Sequence, residues 1–355
     1  MNPVKTICRF HIEGTPVGSE PFGHGHINST FKITTDAGCS YILQRINKYV
    51  FKNPPQLMEN ASRVTNFIRA KDGVALHFIE EVDGSYCYQD EDGEYWRCYE
   101  FVEGFSMDAA ETADDFYQSA LAFGQFQNQL SDFPADTLHE TIPNFHNTPD
   151  RLRQLKESIA ADSMGRLASA KPEAEFFLAH EEMASRLQNM LQAGQLPLRV
   201  PHNDTKLNNV LLDNDTHKPL CVLDLDTVMP GLSAYDFGDS IRFGGNTAAE
   251  DEPDASKMKL DIEKFRAFAK GFLEAAPSLT DTEVSVLALG AFTITLEIGS
   301  RFLKDYLDGD KYFRIAYPEH NLVRCRTQIA LCADMLKHWE EMNAVIAQVA
   351  KEVRS

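Results

Sequence analysis

The sequence predicts an α+β protein of two lobes, a small β-rich lobe over residues 1–103 and a larger, mainly helical lobe over 104–355. Three observations lead there. Short strand-like runs crowd the first hundred positions. After Gly104 the apolar residues recur at intervals of three and four, the helical period. The helical stretch holds one β-rich island, 209–223, directly behind a loop dense in polar side chains. With 355 residues, 43% of them hydrophobic, the chain can bury a large core and still divide in two.

In the first lobe, 30–35 and 41–46 read as strands, and 85–89 with 95–102 as a hairpin around the turn-forming string Asp90-Glu91-Asp92-Gly93. One helix, 54–70, interrupts them. Beyond Gly104 the helical period runs through 112–131, 149–162, 173–193, 256–275, 281–306 and 319–350, and the island supplies strands at 209–212 and 220–223. The acidic run 250–254 reads as a solvated loop. No repeat or low-complexity segment breaks this order.

Composition narrows the partners. A net charge of −19 repels phosphate polymers and anionic membranes, and no basic cluster interleaved with aromatics stands against it, so nucleic acid and membrane are excluded as expected partners. The first residues lack a signal-peptide apolar block and no stretch approaches a membrane span, which predicts a cytoplasmic protein. Seven cysteines without a Cys-x-x-Cys pair fit reduced thiols and no zinc site. Nothing in the sequence fixes the oligomeric state.

The polar loop is His202-Asn203-Asp204-Thr205-Lys206-Leu207-Asn208-Asn209, and Asp224 follows in the apolar run 221–224. Phosphoryl transfer leaves a protein chiefly the tasks of positioning an acceptor hydroxyl and neutralising the moving charge. An aspartate at a loop tip can take the hydroxyl proton, and a lysine two residues on can meet the phosphate: Asp204 and Lys206 fit. Magnesium takes oxygen ligands and keeps several waters, so the amide of Asn209 and the carboxylate of Asp224 suit it. His202 suits a brace for the loop. Ahead of the strand 30–35, Gly23-His24-Gly25-His26-Ile27-Asn28 offers glycines that permit close backbone approach to a phosphate.

Together, Gly25-x-x-Asn28-x-x-Phe31-x-Ile33, His202-x-Asp204-x-x-x-x-Asn209, Asp224 and Tyr235-Asp236-Phe237-Gly238 resemble the aminoglycoside phosphotransferase and choline kinase superfamily, over nearly the whole chain. The longer strings Tyr41-Ile42-Leu43-Gln44, Asp224-Leu225-Asp226-Thr227, 236–243 and 317–324 are similar to the N-acetylhexosamine 1-kinase family within it. The resemblance implies a bilobal protein-kinase-like fold, with ATP and Mg2+ as cofactors and a small sugar as acceptor, phosphorylated at its anomeric hydroxyl. It implies Asp204 as base, Asn209 and Asp224 on magnesium, Gly23, Gly25 and Gln44 at the nucleotide, and Asp236 as anchor of the catalytic loop.

Several positions keep two readings. Asp226 is either a second metal carboxylate, on the same strand face as Asp224, or a cap of the next turn. Kinase-like folds usually carry a lysine on the third strand where Gln44 stands here, so Arg45, Lys206 or magnesium would have to carry that phosphate charge. Thr293, Glu297 and Arg301 form a polar stripe on the apolar helix 284–302, either lining an acceptor pocket or holding a Glu297 to Arg301 ion pair. Tyr317, His320 and Arg324 join the pocket by resemblance. His26 and Asn28 can approach the sugar from the glycine loop, unless Asn28 pins that loop. Two other functions stay open: a kinase of an aminoglycoside, choline or homoserine-like acceptor, and a non-catalytic nucleotide-binding protein.

Overall fold

The structure, a computed structural model, describes residues 2–23 and 28–355. The chain forms two compact units: unit 1 comprises Met1–Ser106, Asp132–Pro143 and Val210–Pro230, and unit 2 comprises Met107–Ser131, Asn144–Asn209 and Gly231–Ser355.

Unit 1 contains α1 (Pro3–Ile7), β1 (Pro16–Pro21), β2 (Ser29–Thr35), β3 (Ser40–Ile46), α2 (Pro54–Arg69), β4 (Tyr88–Gln89), β5 (Tyr95–Glu100), β6 (Val210–Leu212) and β7 (Pro219–Val222). The first five strands make an antiparallel sheet in the order β1-β2-β3-β5-β4. Alternation decides its faces. Tyr41, Leu43, Trp96 and Cys98 turn to a core with Ile7, Phe10, Ile33 and Ile79, so Gln44 and its cross-strand partner Arg97 point to the opposite face. Helix α2 starts where Asn53 caps the Gln56 N–H and two prolines occupy the first turn, whose amides need no partner. β6 and β7 pair as a separate hairpin, and Phe105 exchanges backbone hydrogen bonds with Leu212. Gly104 permits this approach, because a Cβ there would lie 2.6 Å from the Leu212 carbonyl oxygen.

Periodicity does not mark α1, β1 or the helix Ser233–Gly244, and one expected strand is shorter than its sequence suggests. β1 begins and ends in proline and is largely exposed, as suits an edge strand without apolar alternation. The expected strand 85–89 shrinks to Tyr88–Gln89, because the Ser85 hydroxyl bonds Cys87 and the Glu81 carboxylate instead of continuing a ladder.

Unit 2 is helical: α3 (Ala113–Gln129), α4 (Thr148–Ala161), α5 (Lys171–Ala179), α6 (Glu181–Gln192), α7 (Ser233–Gly244), α8 (Ile262–Ala275), α9 (Asp281–Ser285), α10 (Leu287–Asp308), α11 (His320–Lys337) and α12 (Trp339–Arg354). Three expected helices are each broken in two, at His180, Val286 and His338. Phe237 packs edge-on against Phe265, Phe268 and Phe272, which fixes α7 on α8. α7 meets the buried α10 backbone to backbone: a Cβ on Gly290 would lie 2.3 Å from Ala234 O, and one on Gly238 2.4 Å from Gly290 O. Among the described residues no helix is long and apolar enough to cross a membrane.

Candidate active site

The loop from His202 to Asn209 is held by the first turns of α7. Asp236, wholly buried, accepts hydrogen bonds from the backbone N–H of His202 (2.8 Å) and Asn203 (2.7 Å) and from Gln127 Nε2 (2.6 Å). One helical turn on, Asp239 accepts the Thr205 N–H at 2.9 Å, and the Thr205 hydroxyl donates to Asp236 O at 2.8 Å. These bonds satisfy the loop's buried amides, which a turn alone would leave without partners. Asn203 adopts a left-handed conformation, φ 66°, that asparagine tolerates better than most residues. The His202 ring is buried with its edge toward Phe123 and Phe126, a packing role.

Asp204, partly exposed at the tip, meets Lys206 Nζ at 2.8 Å. Burial works against the lysine's charge, but the Asp204 carboxylate outweighs it and raises the pKa. Asn209 donates from Nδ2 to Asp204 O at 2.8 Å, which leaves its amide oxygen for another partner. The loop therefore gathers a carboxylate, an ammonium and an amide oxygen within six residues of chain.

In unit 1, the β6–β7 register sets Val210 against Val222. β7 ends there, and Asp224 stands in the left-handed region, φ 54°, at the head of a 3-10 turn over Leu225–Thr227. The alternate-residue facing expected for Asp224 and Asp226 on one strand is therefore not the geometry found. Neither does Asp226 cap the turn. It is buried, ion-paired with Arg97 Nη1, and its other oxygen accepts from Asn28 Nδ2 at 2.7 Å. Arg97 Nε in turn donates to Gln44 Oε1 at 2.7 Å, and Gln44 Nε2 to Thr30 Oγ1 at 2.9 Å. Sequence patterning does not reveal the Arg97–Asp226 pair; its one trace there is a lone cation inside the buried stretch of β5.

As magnesium donors, the Asn209 amide oxygen and the Asp224 carboxylate have the right chemistry. Asp226 carries an arginine at one oxygen and an amide N–H at the other. Among the described residues no group of three or more histidine, cysteine, aspartate or glutamate side chains could hold a metal.

Asn28 accepts the Asn47 N–H on Oδ1 at 2.9 Å while holding Asp226, so it pins the start of β2. Gly23 has φ 75°, a glycine conformation. Gly25 and His26 lie outside the described residues. Arg45 is on the far face from Gln44 and donates to Ser29 Oγ.

The expected acceptor residues separate into two groups within unit 2. Glu297 does not pair with Arg301: wholly buried, it accepts from Thr148 Oγ1 (2.7 Å) and faces His146 Nδ1 (2.9 Å), while His146 Nε2 lies 3.3 Å from Asn203 O in the polar loop. His146 thus lies between the Glu297 carboxylate and the backbone of the polar loop. Burial pushes the Glu297 carboxyl up and the His146 charge and hydrogen bond bring it below its ordinary value. Arg301 instead stands among Phe145, Tyr312 and Phe313, its guanidinium 5.6 to 5.7 Å from each ring.

The second group reaches the loop through charges. Arg242 joins Asp239 (3.0 Å) to Glu250 (2.7 Å), Glu250 approaches Arg324 (3.9 Å), and Asp251 faces His320 Nε2 (3.2 Å). The acidic run expected to be merely solvated is thus tied down at Glu250 and Asp251. His320 stacks on Tyr317 at 4.5 Å and accepts the Ala316 N–H on Nδ1. Arg324 covers Phe302, which packs on Phe313 beside Arg301.

A family model described as the phosphotransferase enzyme family matches residues 19–269. Among solved structures, a microcompartment-associated aminopropanol kinase is similar over 96% of this chain and 97% of its own, with a TM-score of 0.64 and 15% identity. An aminoglycoside phosphotransferase from Alicyclobacillus acidocaldarius is similar over 100% and 97%, with a TM-score of 0.61 and 14% identity. An amicoumacin kinase in complex with AMP-PNP and Ca2+ is similar over 92% and 91%, with a TM-score of 0.62 and 14% identity. At these identities the likeness establishes a kinase-like α+β fold.

Proposed function

We propose that this chain, which belongs to the phosphotransferase enzyme family, is an ATP-dependent kinase that phosphorylates the anomeric hydroxyl of N-acetylhexosamines. The observation that carries the phosphotransfer part is the loop: Asp204, Lys206 and Asn209 held together, with the backbone around them fixed by Asp236 and Asp239. The acceptor part rests on the sequence strings similar to N-acetylhexosamine 1-kinases and on Arg301, Tyr317, His320 and Arg324. Their stacking surfaces and planar donors suit sugar hydroxyls and an N-acetyl group.

Asp204 accepts the acceptor's proton as its oxygen attacks the γ-phosphorus and ADP leaves. Lys206 exchanges the Asp204 carboxylate for the incoming phosphate, which frees the base and brings positive charge to the transferring group. Asn209 and Asp224 would hold the magnesium ion. Bound there, magnesium supplies charge neutralisation for the triphosphate. Residues 1–103 serve the nucleotide, with the glycine loop at Gly23 and Gly25, and 104–355 the acceptor. His26 approaches the acceptor from the glycine loop, and Asn28 pins the start of the strand that follows it. A cytoplasmic setting suits such a metabolic kinase.

A second reading is a kinase of an amine-bearing alcohol. Glu250 and Asp251, beside Arg324 and His320, favour it, because a cationic acceptor needs carboxylates. A coupled ADP-release assay over N-acetylglucosamine, N-acetylgalactosamine, an aminoglycoside, choline and homoserine separates the two. Turnover with a hexosamine supports the first reading; turnover only with an amine replaces it by the second.

A further inference from the structure

Arg97 is 3% exposed in the middle of β5. A guanidinium so far from water is costly unless its donors are met, and removing its partner leaves a buried uncompensated charge. Two of its three nitrogens are met: Nε by Gln44 Oε1, and Nη1 by Asp226 with Met58 Sδ at its side. Nη2 donates to no described residue.

The rest of the arrangement keeps that nitrogen still. Thr30, Gln44 and Arg97 lie directly across three neighbouring strands, so Gln44 is clamped on one side by Thr30 and itself clamps the guanidinium on the other. Asp226 is fixed at its far oxygen by Asn28, which is held by the Asn47 N–H. Burial disfavours the charge on Arg97, and the Asp226 carboxylate more than offsets that, with Asp224 adding to it. A brace between sheet and turn would be complete with Nε and Nη1. A planar fork anchored at those two atoms presents Nη2 as two fixed N–H groups, the donor arrangement that suits an oxyanion.

We infer that Arg97 is a binding residue for the triphosphate of the nucleotide, with Nη2 donating to a phosphate oxygen while Gln44 and Asp226 hold the guanidinium in place. The inference rests on the kinase reading above. It also accounts for Gln44: the cation stands one strand over, in register, and the glutamine is its holder. Asp226 then acts as the counter-ion that keeps Arg97 aimed.

The test is the affinity of the purified chain for ATP and for adenosine, in the presence of Mg2+, by titration calorimetry. Wild type is compared with Arg97→Lys, Arg97→Gln and the double variant Arg97→Gln/Gln44→Lys. The expected result is a loss of ATP affinity of about 10- to 100-fold in Arg97→Gln, the weight of a charge-assisted hydrogen bond, with adenosine affinity unchanged. Arg97→Lys falls between and carries the test if Arg97→Gln does not fold. The double variant, with the cation moved onto β3, regains part of the loss. Variants that bind ATP within about twofold of wild type, or that lose ATP and adenosine equally, overturn the inference and leave the kinase reading standing. A wild-type chain that binds no ATP overturns both.

Discussion

Replacing Asp236 by asparagine removes one charge and keeps the shape of the anchor beneath the loop 202–209. Its Oδ2 takes two bonds, from the His202 N–H and Gln127 Nε2, and its Oδ1 one, from the Asn203 N–H. The asparagine oxygen does best on the Oδ2 side, where it keeps two bonds in neutral form. The new amide group then points its hydrogens at the Asn203 N–H. One charge-assisted bond is lost, about 1.5–3 kcal/mol, and two others weaken by about half. Relief of the buried charge offsets part of this, because burial already pushes the Asp236 carboxyl above its ordinary value. The net cost is about 2–4 kcal/mol. That is a large share of the roughly 5–15 kcal/mol typical of folded proteins.

The chain's two tryptophans are Trp96 and Trp339, one in each unit. Urea unfolding followed by fluorescence in a Trp96→Phe background therefore reports on the unit that holds Asp236. The variant should unfold at lower urea by that free energy, and kcat should fall about 100-fold as Asp204 loses its fixed backbone. Unchanged stability together with unchanged kcat would refute the anchoring argument.

Other outcomes follow from the same geometry. Glu283→Gln breaks a buried fork in which Arg199 Nε and Nη2 each lie 2.8 Å from a carboxylate oxygen, and should cost about 3–5 kcal/mol in urea unfolding. Arg199 overrides burial and lowers the Glu283 pKa, and Asp239 and Glu297 are lowered likewise by Arg242 and His146. As pH falls, the unfolded chain takes up protons first, so this stability is present above about pH 4.5 and is lost below it. Stability unchanged between pH 6 and pH 3 would contradict the pairing. Gly290→Ala must separate α7 from α10 and should lower stability by about 1–3 kcal/mol, taking activity down with it because α7 carries Asp236 and Asp239. A wild-type melting curve for that variant would mean that the helices yield without cost.

The strands β2, β3 and β5 were legible because alternation carries a half-buried strand, and Asp204, Lys206 and Asn209 because one loop holds them all. What sequence could not show lies in distant pairings. Arg97 meets Asp226 across 129 residues, and Glu297 meets His146 across 151. The i,i+4 spacing offered Arg301 as the partner of Glu297, since helical periodicity reveals only neighbours on the same helix. The helix breaks at His180, Val286 and His338 carry no glycine or proline, so only tertiary packing marks them. Glu250 and Asp251 looked solvated because a run of acids shows its charge and not the cations that fold back on it.

The most direct measurement is phosphoryl transfer from ATP to N-acetylglucosamine or N-acetylgalactosamine, with product position read by 31P NMR, in wild type and Asp204→Asn. The account predicts a sugar 1-phosphate from the wild type, and from the variant retained ATP affinity with kcat lower by at least about 100-fold, the contribution of a general base. Near-normal turnover by Asp204→Asn, or no transfer to any hydroxyl by the wild type, would contradict it.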